Sequence, residues 1–461
     1  MIEVIVHNDM VETTGLDDLA QDLFSSYVPG YKYTYLYQTG KWDGKASLIQ
    51  NGEFPTGLLP VLLDYLQSKG VLYRVRDARY VPALNNLKPT TVQLRDYQIE
   101  IIEKAFNNYY FGLWWPRGVI QVATGGGKTE IAAAMIQMTN SPTIFLVHRK
   151  DLLVQATERF QKYGLQVGEL KDILTNDITV STIQSVHSWL KRKDKQKMLV
   201  KGLDRMEQVF VDEAHLIAAR ADTYNIFGAV LKLMPRAYMR WGLTATPFLR
   251  DEYHNWMLQG GTGDLICAIT NRELIERGFL SEAVVNMVQM RKLEVPTALR
   301  DWPTCYEHYI VTNRIRNAEV ANCFNMYPKP ALVLVNKLGH GDLLSQSLGI
   351  PFLNGSSSIE ERMDAVAKLK NGTLSGVVAS TIWDEGIDIA NIKTVILAGG
   401  GKSDIKNLQR LGRGLRLASG KQQLQLVDFL DQSPYILANH AKKRRALWEG
   451  QGFKVVLTTP K

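Results

Sequence analysis

Three textures of apolar and polar positions follow one another along the chain. Over residues 1–90 the pattern changes every few positions. MIEVIV reads as a strand, and LDDLAQDLFSSYV as a helix with Leu16, Leu19 and Leu23 at helical spacing. In YKYTYLYQTGKWDGKASLIQ the tyrosines at 31, 33, 35 and 37 alternate with period two, and TGKWDGK has turn chemistry. That predicts a β-hairpin. GLLPVLLDYLQSKG predicts a short helix ending at Gly70, and VLYRVRD a returning strand.

From about Thr91 short β-branched runs alternate with helical stretches: GVIQVAT, TIFLVHR, DITVST, QVFVDEAH and YMRWGLTATP. Such alternation predicts a parallel sheet with helices on both faces. It fades near residue 280, and residues 281–305, with two prolines, read as a linker. A second series follows with ALVLVN, PFLNGSS, GVVAST, TVILAGG and QLQLVDF. The fold class expected is α/β: two tandem parallel-sheet domains, 91–280 and 306–461, behind a small N-terminal α+β domain of residues 1–90.

Composition narrows the function. The 461 residues are 45% apolar and 22% charged, enough for several packed cores. A net charge of +8 permits a polyanionic partner. The three cysteines, Cys267, Cys305 and Cys323, form no CxxC pair, so neither a disulfide framework nor a cysteine-rich zinc site is expected. No apolar run is long enough to span a bilayer. The opening residues lack the pattern of a secretory signal. A reducing, cytoplasmic setting is expected, with no membrane partner.

VIQVATGGGKTEIAAAMI carries the clearest chemistry. A strand runs into Thr124, Gly125, Gly126 and Gly127, then Lys128, Thr129 and an alanine-rich helix. Glycines let backbone N–H groups wrap phosphates, and the helix start adds its dipole. Lys128 is the candidate for the terminal phosphates and Thr129 for Mg²⁺. The strict phosphate-loop pattern has glycine at 122, where this chain has Val122. VFVDEAH supplies the second half. A strand delivers Asp212 and Glu213 to its carboxyl end, where open parallel sheets bind ligands. Asp212 suits the Mg²⁺ shell, and Glu213 suits orienting or deprotonating water. ATP and Mg²⁺ are the expected cofactors.

ATGGGKT, VDEAH and GLTATP, in this order, resemble the first three core motifs of superfamily 2 helicases and translocases. LRDYQ, LVHRKDLLVQ, VSTIQSV, SGVVASTIWDEGIDI and NLQRLGRGLRL continue the likeness over roughly residues 91–435. The resemblance implies two RecA-like domains with ATP in the cleft between them. It places Gln98 on adenine, with Arg95 nearby. It gives His215, Thr244, Thr246 and Gln409 the coupling of nucleotide to polynucleotide. It assigns His148, Arg149, Thr182, Gln184, Ser380 and Thr381 to DNA, and Gly386 and Asp388 to ATP. Arg413 and Arg416 match the arginine fingers, although phosphate contacts to nucleic acid are an alternative for either. TGKWDGK…FPTGLLP and the lean core resemble phage UvsW-type branch-migration helicases, within the branch that includes RecG, XPB and restriction-enzyme motors.

Two further segments bear on DNA. Residues 1–90 hold eight Lys/Arg against ten Asp/Glu, net −2, so the N-terminal module is not basic overall. Its alternating tyrosines suit either one half-buried sheet face or stacking on unpaired bases, and Lys41 and Trp42 in the turn are the stronger candidates for DNA contact. Residues 391–461 hold thirteen Lys/Arg against four Asp/Glu, net +9. AKKRR at 441–445 suits either duplex phosphates or a solvated helix face. The expected activity is an ATP-dependent DNA helicase or translocase on forked and junction DNA, monomeric by default. An RNA helicase and an ATP-binding scaffold without turnover are the alternatives. Protein partners and polarity are not encoded in any motif.

Overall fold

The computed structural model describes residues 1–461 except 17–21, 29, 84–86, 219–220, 248–251, 295–300, 381–391, 402–422 and 460–461. The chain divides into two compact units. One comprises residues 1–122 and 127–268, the other 123–126 and 269–461.

In the first unit, seven strands run in the order Val167–Gly168, Ile178–Thr182, Thr143–Val147, Gln208–Asp212, Met239–Thr244, Arg117–Val122 and Leu265–Ile269. The pairs from Val167–Gly168 through Arg117–Val122 are parallel. Thr143–Val147 and Met239–Thr244 are buried at every position, as strands covered on both faces must be. The second unit holds another seven-stranded sheet. Its order is Phe352–Leu353, Gly376–Ala379, Ala331–Leu334, Thr394–Ile396, Gln423–Leu430, Glu282–Gln289 and Lys454–Thr458, with all neighbours parallel. These are two tandem RecA-like sheets.

Residues 282–289, expected within a linker, are instead an inner strand of that second sheet. Their partners, Gln423–Leu430 and Lys454–Thr458, are far along the chain. Local alternation could not show pairing at such distance.

The N-terminal residues build a small sheet in the order Glu53–Pro55, Met10–Thr14, Ile2–Val6 and Tyr73–Asp77. Helix Leu59–Ser68 lies beside it in sequence, burying Leu59, Leu62, Leu63 and Leu66, and Gly70 follows at φ 64°. The chain at 25–27, expected to be helical, is a short strand paired with Lys45–Ser47. Residues 17–21 of the expected helix lie outside the described residues, and residues 22–24 form a turn.

The tyrosine stretch is not a strand. Tyr31–Tyr33 forms a 3₁₀ turn and Tyr35–Gln38 one α-helical turn. Gly30 and Gly40 adopt positive φ, 78° and 67°. Between the turns, the Thr34 hydroxyl donates to Tyr31 O at 2.7 Å and accepts from Tyr37 N. This side-chain capping competes with extension and wins. Tyr33 and Tyr35 are 88% and 70% exposed, so the expected half-buried face does not exist.

The N-terminal sheet and the first motor sheet share one apolar core, in which Val4, Val6 and Leu62 join Trp115, Val119 and Met257. Asn8 donates to Tyr80 O and Pro235 O, each at 2.9 Å, and Arg117 Nη2 donates to Asn8 O at 3.1 Å. The Arg79 guanidinium stacks over Trp115 and Tyr238. In FPTGLLP, a Cβ on Gly57 would stand 1.8 Å from Gln259 O on helix Glu252–Gly261. The glycine is needed for this backbone approach. Because a carbonyl cannot rotate away as a side chain can, Gly57→Ala is expected to destabilise the chain by about 1–3 kcal/mol or more. The urea unfolding midpoint measures this; an unchanged midpoint would contradict the close approach.

Candidate active site

Strand Arg117–Val122 is buried except at Gln121 and leads through residues 123–127 into helix Lys128–Thr139. Gly125 and Gly127 take φ of 86° and 80°, and Gly126 N–H donates to Ala123 O at 2.9 Å. Positive φ is what glycine supplies at low cost. Val122, the departure from the strict pattern, is the last residue of the strand and fully buried. The backbone there is extended, so a side chain is tolerated. The following helix buries Ile131 through Ile136 without interruption, which anchors its first turn.

Gln98 meets this loop from helix Asp96–Phe106. Its Oε1 accepts the Arg95 amide at 2.9 Å. Its Nε2 lies 2.2 Å from where a Cβ on Gly127 would stand. Arg95 reaches the Tyr97 hydroxyl at 3.3 Å. Gln98 is 3% exposed, so its amide orientation is set by these neighbours.

Strands Gln208–Asp212, Met239–Thr244 and Arg117–Val122 are successive neighbours and parallel, so their carboxyl ends share one edge of the sheet. Lys128 Nζ stands 3.4 Å from Glu213 Oε1, and His215 Nδ1 stands 3.4 Å from Glu213 Oε2. His215 Nδ1 also meets Thr244 Oγ1 at 2.9 Å, and that hydroxyl accepts the Thr246 amide at 3.2 Å. The structure therefore joins Lys128, Glu213, His215, Thr244 and Thr246 in one connected chain. Glu213 itself is left-handed, φ 49° and ψ 51°, which lifts its side chain out of the strand direction. Gly242, which the sequence did not mark as functional, permits this turn. A Cβ there would lie 2.9 Å from the Ala214 Cβ.

The two acids are pushed in opposite directions. Burial, then the adjacent Glu213, pushes the Asp212 carboxyl up to about 7, against the pull of Lys128. Burial also opposes ionisation of Glu213, but Lys128, His215 and His148 together hold it below the usual carboxylate range. Glu213 Oε2 is buried with no hydrogen-bond donor. Thr129, in the helix's first turn, adds a hydroxyl oxygen. Hard oxygens of this kind suit Mg²⁺, which takes one or two protein ligands and completes its shell with water and phosphate.

His148, Arg149, Thr182 and Gln184 line one shallow groove, together with Lys150, Ser185, Ser188 and Trp189. Thr182 also caps helix Ile183–Leu190 by accepting Ser185 N–H at 3.1 Å. Arg149 is held by Asp151 at 3.1 Å. Burial lowers the His148 pKa, and its Nδ1 has no partner. Lys150, Ser188 and Trp189 were not singled out from the sequence, although Trp189 follows VSTIQSV closely.

The remaining candidates belong to other segments or lie outside the described residues. Ser380, 6% exposed, follows strand Gly376–Ala379 and donates its amide to Leu353 O. Thr381, Gly386, Asp388, Gln409, Arg413 and Arg416 lie outside the described residues. Trp42 donates its indole N–H to Lys45 O at 2.7 Å, and Lys41 is exposed. AKKRR is not a uniform basic face. Arg444 is 1% exposed and ion-paired with Asp428 at 3.0 Å, and Arg445 pairs with Glu449. Its place on helix Tyr435–Gly450 turns Arg444 into the core, leaving Lys442 and Lys443 outward.

Comparison with known proteins agrees with this geometry. Residues 91–249 match the family model for the type III restriction enzyme res subunit, and residues 317–418 match the helicase conserved C-terminal domain. The chain belongs to the superfamily 2 helicases: it is an ATP-hydrolysing motor that works on nucleic acid. A helicase of a Sulfolobus islandicus filamentous virus is 26% identical over 405 residues, covering 78% of this chain and 70% of the relative. The ATP-dependent DNA helicase uvsW of phage T4 is 24% identical over 454 residues, covering 90% of this chain and 86% of that protein. An HsdR fragment from a Vibrio vulnificus type I restriction enzyme shares the fold. Its TM-score is 0.59 at 18% identity, covering 81% of this chain and 70% of that one. Among the described residues no helix is long and apolar enough to cross a membrane.

Gly127→Ala tests the loop. A methyl group there meets the Gln98 amide and the φ of 80° is unfavourable. Nucleotide affinity is expected to fall about tenfold or more, equivalent to ~1.4 kcal/mol, and the strained φ to cost about 1 kcal/mol of stability besides. Titration with a fluorescent ATP analogue measures it, and wild-type affinity would contradict the placement of Gln98.

Proposed function

We propose that this chain is an ATP-driven DNA helicase or translocase that remodels forked and junction DNA, working as a monomer inside the cell. The observation that carries the reading is the connected chain from Lys128 through Glu213 and His215 to Thr244 and Thr246. Its likeness to a phage DNA helicase over 90% of the chain supports DNA as the track. Lys128 holds the terminal phosphates, and Gln98 with Arg95 reads adenine. Thr124, Gly125, Gly126 and Gly127 wrap the phosphates with backbone N–H groups. Thr129 and Asp212 would hold Mg²⁺, which when bound neutralises charge on the phosphate oxygens. Glu213, kept ionised by its neighbours, orients the attacking water and accepts its proton. Arg413 and Arg416 stabilise charge on the transferring group, with Gly386, Asp388 and Gln409 completing the nucleotide side. Loss of the terminal phosphate changes what Lys128 and Glu213 face, and His215 passes that change to Thr244 and Thr246. The groove at His148, Arg149, Thr182 and Gln184 holds the DNA backbone, and Ser380 and Thr381 do so from the second unit.

Steady-state ATP hydrolysis with single-stranded DNA, duplex, a four-way junction and RNA, at fixed salt, tests the reading. Strongest stimulation is expected with the junction or fork; stimulation by RNA alone would overturn DNA as the track. Lys128→Ala is expected to abolish turnover with DNA affinity largely kept. Glu213→Gln is expected to bind ATP without turnover, and wild-type rates in either variant would remove that residue from catalysis.

A further inference from the structure

Residues 23–42 contain Tyr27, Tyr31, Tyr33, Tyr35, Tyr37 and Trp42 with Lys32 and Lys41, and no acid. The structure packs some of these rings and leaves others open. Three are packed. Tyr27 and Tyr31 stack with centroids 4.7 Å apart at 23°, and Tyr37 meets Tyr31 edge-on at 4.7 Å. Tyr31 lies against the backbone of Gly44, where a Cβ would come within 2.2 Å of its ring. Thr34 ties the two short turns together, and Trp42 is tied to Lys45 O. The open ones are Tyr33 and Tyr35, 88% and 70% exposed, and Leu36 between Tyr35 and Tyr37 is 52% exposed. Lys32 and Lys45 reach over Tyr31 and Tyr27, each at 5.8 Å, although Lys45 also pairs with Asp22.

A solvent-facing aromatic cluster of this kind marks an interaction surface. Its chemistry selects the occupant. Exposed rings offer π-faces, and lysines offer charge to a phosphate backbone. Unpaired nucleic acid presents both a base face and phosphate, whereas duplex hides its base faces. Protein interfaces deplete lysine at their cores. We propose that Tyr33 and Tyr35 form a stacking platform for unpaired bases of the DNA, on the N-terminal module and separate from the groove at His148. The proposal rests on the DNA-remodelling reading above. It also moves the module's contact from Trp42, whose indole is engaged, to the two open tyrosines.

The test uses the full chain with the pairs Tyr33→Ala/Tyr35→Ala and Tyr33→Phe/Tyr35→Phe. Fluorescence anisotropy at fixed salt compares a fork with unpaired dT arms against blunt duplex. A 2-aminopurine at the first unpaired position reports stacking. The alanine pair is expected to lose about tenfold in fork affinity, in line with the loss of aromatic stacking on bases. It should also relieve the 2-aminopurine quench, while blunt-duplex affinity and ATP turnover without DNA stay unchanged. The phenylalanine pair is expected to behave as wild type in all four readouts. Wild-type fork affinity and quench in the alanine pair, with turnover still stimulated by DNA, would overturn the platform and leave the motor reading intact. Equal losses on fork and blunt duplex would also overturn it. Wild-type protein that no DNA stimulates would remove the underlying reading, and the platform with it.

Discussion

Lys128 and Glu213 face each other at 3.4 Å with side chains only 13% and 17% exposed, and the carboxyl edge of the first sheet meets the glycine loop at that pair. An ion pair this sheltered is weak evidence of stability. Desolvation offsets much of its attraction, and removing one partner leaves the other buried and uncompensated. Its value is positional. Lys128 belongs to the phosphate loop and its helix, and Glu213 to the turn after the neighbouring acidic strand. His215 and Thr244 extend the contact to a third segment. Each element is held by packing elsewhere, so a change at the pair is felt along the whole edge.

Glu213 bears the strain of this arrangement. A non-glycine residue in the left-handed region costs about 1–3 kcal/mol and persists only where the surroundings fix it. Here the surroundings do so: the strand before it is buried, and Gly242 leaves room for Ala214 beneath the turn. The same turn presents a buried carboxylate oxygen with no hydrogen-bond donor. Strain and an unmatched acceptor coincide on the residue that faces Lys128, which suits the proposed role of Glu213 as the base.

The alternation of short apolar runs with helices made both parallel sheets legible in the sequence, because burial on both faces leaves a continuous apolar signature. The glycine loop and the paired acids were legible because phosphate binding demands particular residues at particular spacing. Val122 was the exception, and its place on the strand explains why the glycine could be lost there. Elsewhere local pattern was the wrong guide. Residues 282–289 joined the second sheet through strands more than a hundred positions away. The tyrosines at period two became helical turns because Thr34 and two glycines rule locally. Arg444, one letter in a basic run, sits at the core because a helix turns its faces every few residues, and Asp428 within the preceding strand Gln423–Leu430 pairs with it there.

The N-terminal module is bound to the first motor sheet by a shared core, by Asn8 and Arg117, and by the Gly57 approach. It is thus part of one body rather than a tethered accessory. Sequence composition pointed the other way, since residues 1–90 differ in texture and carry net negative charge. The physical consequence concerns how surfaces act together. The groove at His148 and Arg149 and the tyrosine surface at Tyr33 and Tyr35 belong to the same compact unit. A flexible linker would let two contacts engage DNA independently. A shared core instead fixes their separation, so the shape of the nucleic acid, and not only its charge, decides whether both can be occupied at once.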